Sequence, residues 1–148
     1  MATFNAANPV KIAIVGAGAL TMLLGLPLVL HSGLPVLLLG LASIVAALGY
    51  MGGRWPIAYT PLGELTVFVF FGLAAVCGSY FVFAGSVSPV MWMAAAAVGA
   101  HAAAVLAVNN YRDAEHDART GRRTFAASFG TGPAQRLYTL LMLSLIHI

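Results

Sequence analysis

Long apolar runs alternate with short polar breaks along this 148-residue chain. Four runs, Ile12 to Leu30, Leu34 to Tyr50, Leu65 to Phe83 and Val90 to Val108, each reach the roughly 17–25 residues that a helix needs to cross a bilayer. A fifth begins near Leu137 and runs to Ile148. The runs are continuous rather than alternating, and a lipid core leaves no backbone polar group unsatisfied, so they predict helices and not barrel strands. The fold expected is all-α: a polytopic transmembrane helical bundle with four complete spans plus the start of a fifth.

The breaks differ in character. His31-Ser32-Gly33 and Ala84-Gly85-Ser86-Val87-Ser88 are short and uncharged, whereas Met51 to Leu62 holds Arg54, and Tyr111 to Gln135 holds most of the charge. If four spans alternate, Lys11, Arg54, Arg112, Arg119, Arg122, Arg123 and Arg136 all fall on one side, together with Glu64, Asp113, Glu115 and Asp117. The positive-inside rule then puts the N-terminus and both long loops in the cytoplasm of a cell whose plasma (inner) membrane the chain crosses. The fourth run is rich in Ala and Gly, which let helix backbones approach closely in lipid, and is expected inside the bundle.

Composition sharpens this picture. The chain is 61% hydrophobic and 7% charged, against about 25% charged in soluble domains, so lipid solvates most of it. The net charge of +3 does not indicate nucleic-acid binding, because the basic residues form no stripe on a water-facing surface. The single cysteine, Cys77, has no disulfide or metal-site partner and reads as a small packing residue.

The polar chemistry is concentrated where the fourth run ends, in Asn109-Asn110-Tyr111-Arg112-Asp113-Ala114-Glu115-His116-Asp117. If the helix continues past the membrane surface, Asn109, Asp113 and Asp117 share one face, each about 40° from the last, with His116 close by. Two carboxylates and an amide oxygen make a hard oxygen site of the kind Mg²⁺ takes together with water and phosphate. Arg119, Arg122 and Arg123 follow, with Gly121 allowing a turn, and guanidinium groups beside a carboxylate-held cation suit a diphosphate. The plain alternative is a solvated helix end with local ion pairs. Glu64 opens the third span either as a first-turn acid favoured by the helix dipole or as a lining residue of a cavity mouth. His101, in mid-span, is expected to hydrogen-bond a neighbouring helix. Tyr50, Trp55 and Tyr59 suit an aromatic belt at the membrane surface.

These residues resemble a known family. Asn109 through Asp117, then Thr120-Gly121-Arg122-Arg123-Thr124 and Phe129-Gly130, resemble the second aspartate-rich motif of the UbiA superfamily of intramembrane prenyltransferases. The form N-N-x-R-D-x-x-x-D-x-x-x-G-(K/R)-(K/R)-T is similar to that of the branch acting on 1,4-dihydroxy-2-naphthoate in menaquinone biosynthesis. Tyr50-Met51-Gly52-Gly53, Pro56, Tyr59, Leu62-Gly63-Glu64 and Val67 to Gly72 resemble the same branch's cytoplasmic loop and following helix. The likeness covers roughly Asn8 to Met142.

The resemblance implies a nine-helix fold around a central cavity and Mg²⁺-dependent transfer of a polyprenyl group from polyprenyl diphosphate to 1,4-dihydroxy-2-naphthoate. Loss of the carboxyl group then gives demethylmenaquinone. Asp113 and Asp117 would hold Mg²⁺ through the diphosphate. Asn109 or Asn110 would support them, and Arg123, with Arg112 and Arg122, would contact the diphosphate. Tyr59 and Glu64 would lie near the aromatic acceptor. Homogentisate or 4-hydroxybenzoate as acceptor, and a non-enzymatic membrane subunit, are the alternatives. The family's first aspartate-rich motif should precede the first span, but residues 1–10 contain no acid. The whole chain, 1–148, is therefore expected to be part of one such domain, its third to sixth helices and the start of the seventh, and to be inactive alone. Residues 143–148 resemble a translated sequencing adapter and are expected to derive from one, the alternative being a helix truncated there.

Overall fold

The structure is a computed structural model that describes residues 7–144. Residues 1–6 and 145–148, which include part of the acid-free start and the end of the fifth run with its adapter-like sequence, lie outside the described residues. Six helices follow in order: α1 (Ala7–Ser32), α2 (Leu34–Met51), α3 (Gly63–Ala84), α4 (Pro89–Arg119), α5 (Phe125–Phe129) and α6 (Thr131–Ser144). The first four are long and apolar enough to span a membrane, and there is no strand among the described residues. The protein is thus the all-α polytopic bundle that the apolar runs predict.

Local chemistry sets the ends. Gly33, at φ 75°, is the single residue between α1 and α2. Gly85, at φ 71°, closes α3 in the left-handed conformation open to glycine. Ser88 caps α4, its Oγ accepting from the Met91 N–H at 3.3 Å, and Pro89 stands in the first turn, where its missing N–H is harmless. At 31 residues, α4 is roughly 46 Å long, well over the roughly 30 Å of bilayer hydrocarbon. Its last turns, past Val108, therefore project beyond the lipid.

The core is made of small residues. Ala95, Gly99, Ala100, Ala103, Ala104 and Ala107 are buried on α4, and Gly63, Gly72 and Cys77 on α3. Where helices leave lipid only to meet each other, the hydrophobic effect adds little, and close van der Waals contact holds them together. A ten-residue π-helical stretch, Phe68–Cys77, re-registers the middle of α3 as it crosses α4. In α1 from Lys11 on and in α2, every residue is exposed or half-exposed. His101 differs from expectation: it is exposed and makes no hydrogen bond among the described residues, because the buried stripe at 100, 103, 104 and 107 turns it outward.

Candidate active site

The two long polar connections meet at one end of the bundle. The first, after α2, contains a single 3₁₀ turn, Ile57–Tyr59, before α3 begins. The second, after α4, turns back at Gly121, which holds φ 78°. The Arg123 N–H donates to the Tyr59 carbonyl at 2.8 Å. The Arg122 guanidinium lies over the Tyr59 ring, 4.5 Å from its centroid, in the geometry of a cation–π contact. Tyr59 therefore serves as the platform for the arginine loop, a place that the aromatic-belt reading did not anticipate.

Asp117, in the last turn of α4, is buried, 3% exposed. Thr124, equally buried, donates its hydroxyl to Asp117 Oδ2 at 3.2 Å. Arg122 Nη1 stands 3.5 Å from Asp117 Oδ1, and the Arg122 N–H donates to the Asp117 carbonyl at 2.9 Å. Asp117 thus pins the loop against the helix that precedes it. Thr120 satisfies the last turn of α4 with its hydroxyl on the His116 carbonyl at 3.0 Å.

Asp113 lies about one turn earlier on α4 and is far more open. Its carboxylate accepts two parallel bonds from Arg112, Nε to Oδ1 at 2.9 Å and Nη2 to Oδ2 at 3.0 Å. Both side chains lie past the apolar part of α4, and this hydrogen-bonded guanidinium holds the Asp113 carboxyl below the usual carboxylate range. Glu115 pairs with Arg119 one turn on, both in solvent.

The inward amide is Asn110, not Asn109. Asn110 Nδ2 donates to Glu64 Oε1 at 2.9 Å, across from α4 to the first turn of α3. Asn109 and His116 are exposed, so the single face expected of Asn109, Asp113, Asp117 and His116 does not form. The reason is angular. Two steps of four residues drift about 80°, whereas a step of seven drifts only about 20°, so Asn110 and Asp117 share the buried face. Glu64 is itself 5% exposed, and its Oε2 is buried with no partner. Thr124 stands in the sequence motif without an assigned role; its place three residues past Gly121, in reach of the preceding helix end, is the available signal.

Two concavities complete the region. An open one of about 520 Å³ is lined by Gly121, Arg122, Arg123 and Ser128 and is basic. The other, also about 520 Å³, is an apolar groove between α2 and α3, bordered by Ala46, Tyr50, Thr66 and Phe70. Among the described residues no three His, Cys, Asp or Glu side chains come together as a metal site. The donor set, carboxylate and amide oxygens beside arginines, fits a hard cation that arrives with phosphate oxygens rather than one held by the chain alone.

The model of the UbiA prenyltransferase family matches residues 9–148. The chain belongs to the UbiA prenyltransferase family. Among curated UbiA relatives, it is 38% identical to the 1,4-dihydroxy-2-naphthoate octaprenyltransferase of Escherichia coli (strain K12) over 107 residues, 72% of this chain and 35% of that protein. It is 41% identical to the protein of that name from Haemophilus influenzae over 106 residues, 72% of this chain and 34% of the other. With the Mycobacterium tuberculosis protein of that name the identity is 40% over 124 residues, 84% and 42% of the two chains. The chain thus spans between a third and somewhat over two-fifths of these relatives. No solved structure matches it significantly.

Proposed function

We propose that this UbiA-family chain forms the second aspartate-rich half of a prenyl-diphosphate site. The whole protein would transfer a polyprenyl group from polyprenyl diphosphate to 1,4-dihydroxy-2-naphthoate in a Mg²⁺-dependent reaction with loss of the carboxyl group. The observation that carries this reading is the loop that follows α4. Asp117, Thr124 and Tyr59 lock Arg122 and Arg123 into a basic concavity at the end of a helix that also carries Asp113. The relatives' shared name supplies the donor and acceptor classes.

In this reading Asp113 and Asp117, with Asn110 in support, would hold the Mg²⁺ that accompanies the diphosphate. Mg²⁺ supplies charge neutralisation as the diphosphate leaves. Arg112, Arg122 and Arg123 bind the remaining diphosphate oxygens, and as fixed donors they favour the charge that develops there. The apolar walls keep water from the allylic cation until the aromatic ring attacks. If the four spans alternate, all seven Lys and Arg residues fall on the side of these loops, and the positive-inside rule then supports a cytoplasmic site.

The test exchanges the matching segment of the Escherichia coli relative for this chain's and supplies Mg²⁺, polyprenyl diphosphate and 1,4-dihydroxy-2-naphthoate. Demethylmenaquinone and carbon dioxide are expected, both lost on chelation of Mg²⁺. Asp113→Ala or Asp117→Ala should lower turnover about 100-fold or more. A folded graft with full activity after either substitution would contradict the site. Prenylation of homogentisate or 4-hydroxybenzoate in preference would contradict the acceptor.

A further inference from the structure

Glu64 is the one acid of the chain that lies off the α4 segment, and its burial is costly. A carboxylate that is 5% exposed, with one oxygen enclosed and unpartnered, destabilises the fold relative to an apolar residue of similar size. Packing alone does not account for it. What it does in the structure is hold one group: Asn110 Nδ2, at 2.9 Å.

That bond fixes which way the Asn110 amide faces. Glu64 Oε1 accepts in this bond, so the NH₂ of Asn110 is the end turned to Glu64. The carbonyl oxygen Oδ1 is thereby the free end, and it has no hydrogen-bond partner among the described residues. Asn110 stands two helical turns before Asp117, about 20° from it around the axis. A diphosphate presents only acceptor oxygens, so a carbonyl oxygen can serve it only through a cation or through water bound to that cation.

We propose that Glu64 is a positioning residue that acts through Asn110, turning the amide so that Oδ1 faces the cation accompanying a diphosphate at the Asp113–Asp117 pole. The inference rests on the prenyl-diphosphate reading above and deepens it. Glu64 touches neither substrate; it orients a ligand group from behind, as hydrogen-bonded partners of metal ligands do.

The test measures binding of Mg²⁺ and geranylgeranyl diphosphate, in nanodiscs, to the Escherichia coli relative that carries this chain's matching segment. Apparent Mg²⁺ affinity is titrated at fixed diphosphate, and the unfolding midpoint is followed in parallel. Glu64→Leu and Asn110→Ala should each weaken Mg²⁺ by about 10-fold or more, the usual effect of losing an outer partner. The double variant should be no weaker than the worse single one. Glu64→Gln, which keeps an acceptor for Nδ2, should restore most of the affinity. Unchanged affinity in Glu64→Leu, multiplied effects in the double variant, or a Glu64→Gln as weak as Glu64→Leu would each overturn the inference alone. A graft without these substitutions that shows no saturable Mg²⁺-dependent binding would overturn both it and the reading beneath it.

Discussion

Gly72 of α3 sits directly against Gly99 of α4. A Cβ built on Gly72 would meet the Gly99 Cα and lie 2.6 Å from the Ala95 carbonyl oxygen, and one on Gly99 would lie 2.6 Å from the Phe68 carbonyl oxygen. The obstacles are backbone atoms, which cannot step aside as a side-chain tip can. The two helices meet where each has no side chain, and the π-helical turn of α3 is centred on that meeting.

Gly72→Ala and Gly99→Ala should therefore each destabilise the bundle by about 1–3 kcal/mol, the range for overpacked cores. Unfolding in detergent followed by circular dichroism measures this. Gly40→Ala, with open space around it, should lose nothing and gain a few tenths of a kcal/mol of helix propensity.

Tyr59 supports the loop after α4 twice, through its ring under Arg122 and its carbonyl under the Arg123 N–H. Tyr59→Phe keeps both contacts. Tyr59→Ala keeps only the second and forfeits a cation–π contact of about 0.5–1 kcal/mol. Trypsin should cut after Arg122 and Arg123 several-fold faster in the alanine variant and at the wild-type rate in the phenylalanine variant.

Thr124→Val removes the hydroxyl that reaches buried Asp117. A buried carboxylate oxygen that loses its donor costs about 1–3 kcal/mol. The unfolding midpoint should fall in Thr124→Val and recover in Thr124→Ser. An unchanged midpoint in the valine variant would mean that Arg122 alone holds Asp117.

Arg112 lowers the Asp113 carboxyl through paired hydrogen bonds. A carboxyl held low contributes its stabilisation above its ordinary value of 3.8 and loses it as pH falls through the lowered one. The pair should thus be constant across neutral pH and break only in acid. In Arg112→Ala, a carbon-13 NMR titration should find Asp113 protonating at higher pH than in the wild type.

Much of the architecture was legible in the residues. Four apolar runs became four helices long enough to span, whose ends moved by five residues at most, α4's polar extension aside. The Ala-rich fourth run became the packed centre, because nothing larger fits where two backbones touch. The site was legible as a segment but not as an arrangement. The four-residue spacing favoured Asn109 in the sequence, and only the drift of the helix turned it outward and brought Asn110 onto Glu64. Tyr59 and Thr124 gained their places from chain segments that are distant or folded back.

The amino-acid sequence by itself determined that this is a lipid-solvated helical chain with its charge gathered at one pole, because the length and apolarity of a span and the polarity of a loop are local properties. The tertiary structure alone decided that Gly72 meets Gly99, that Glu64 holds Asn110, and that Arg122 rests on Tyr59. Each of these joins residues from different helices or loops, and which of them meet depends on helix rotation and crossing, quantities that no single segment carries.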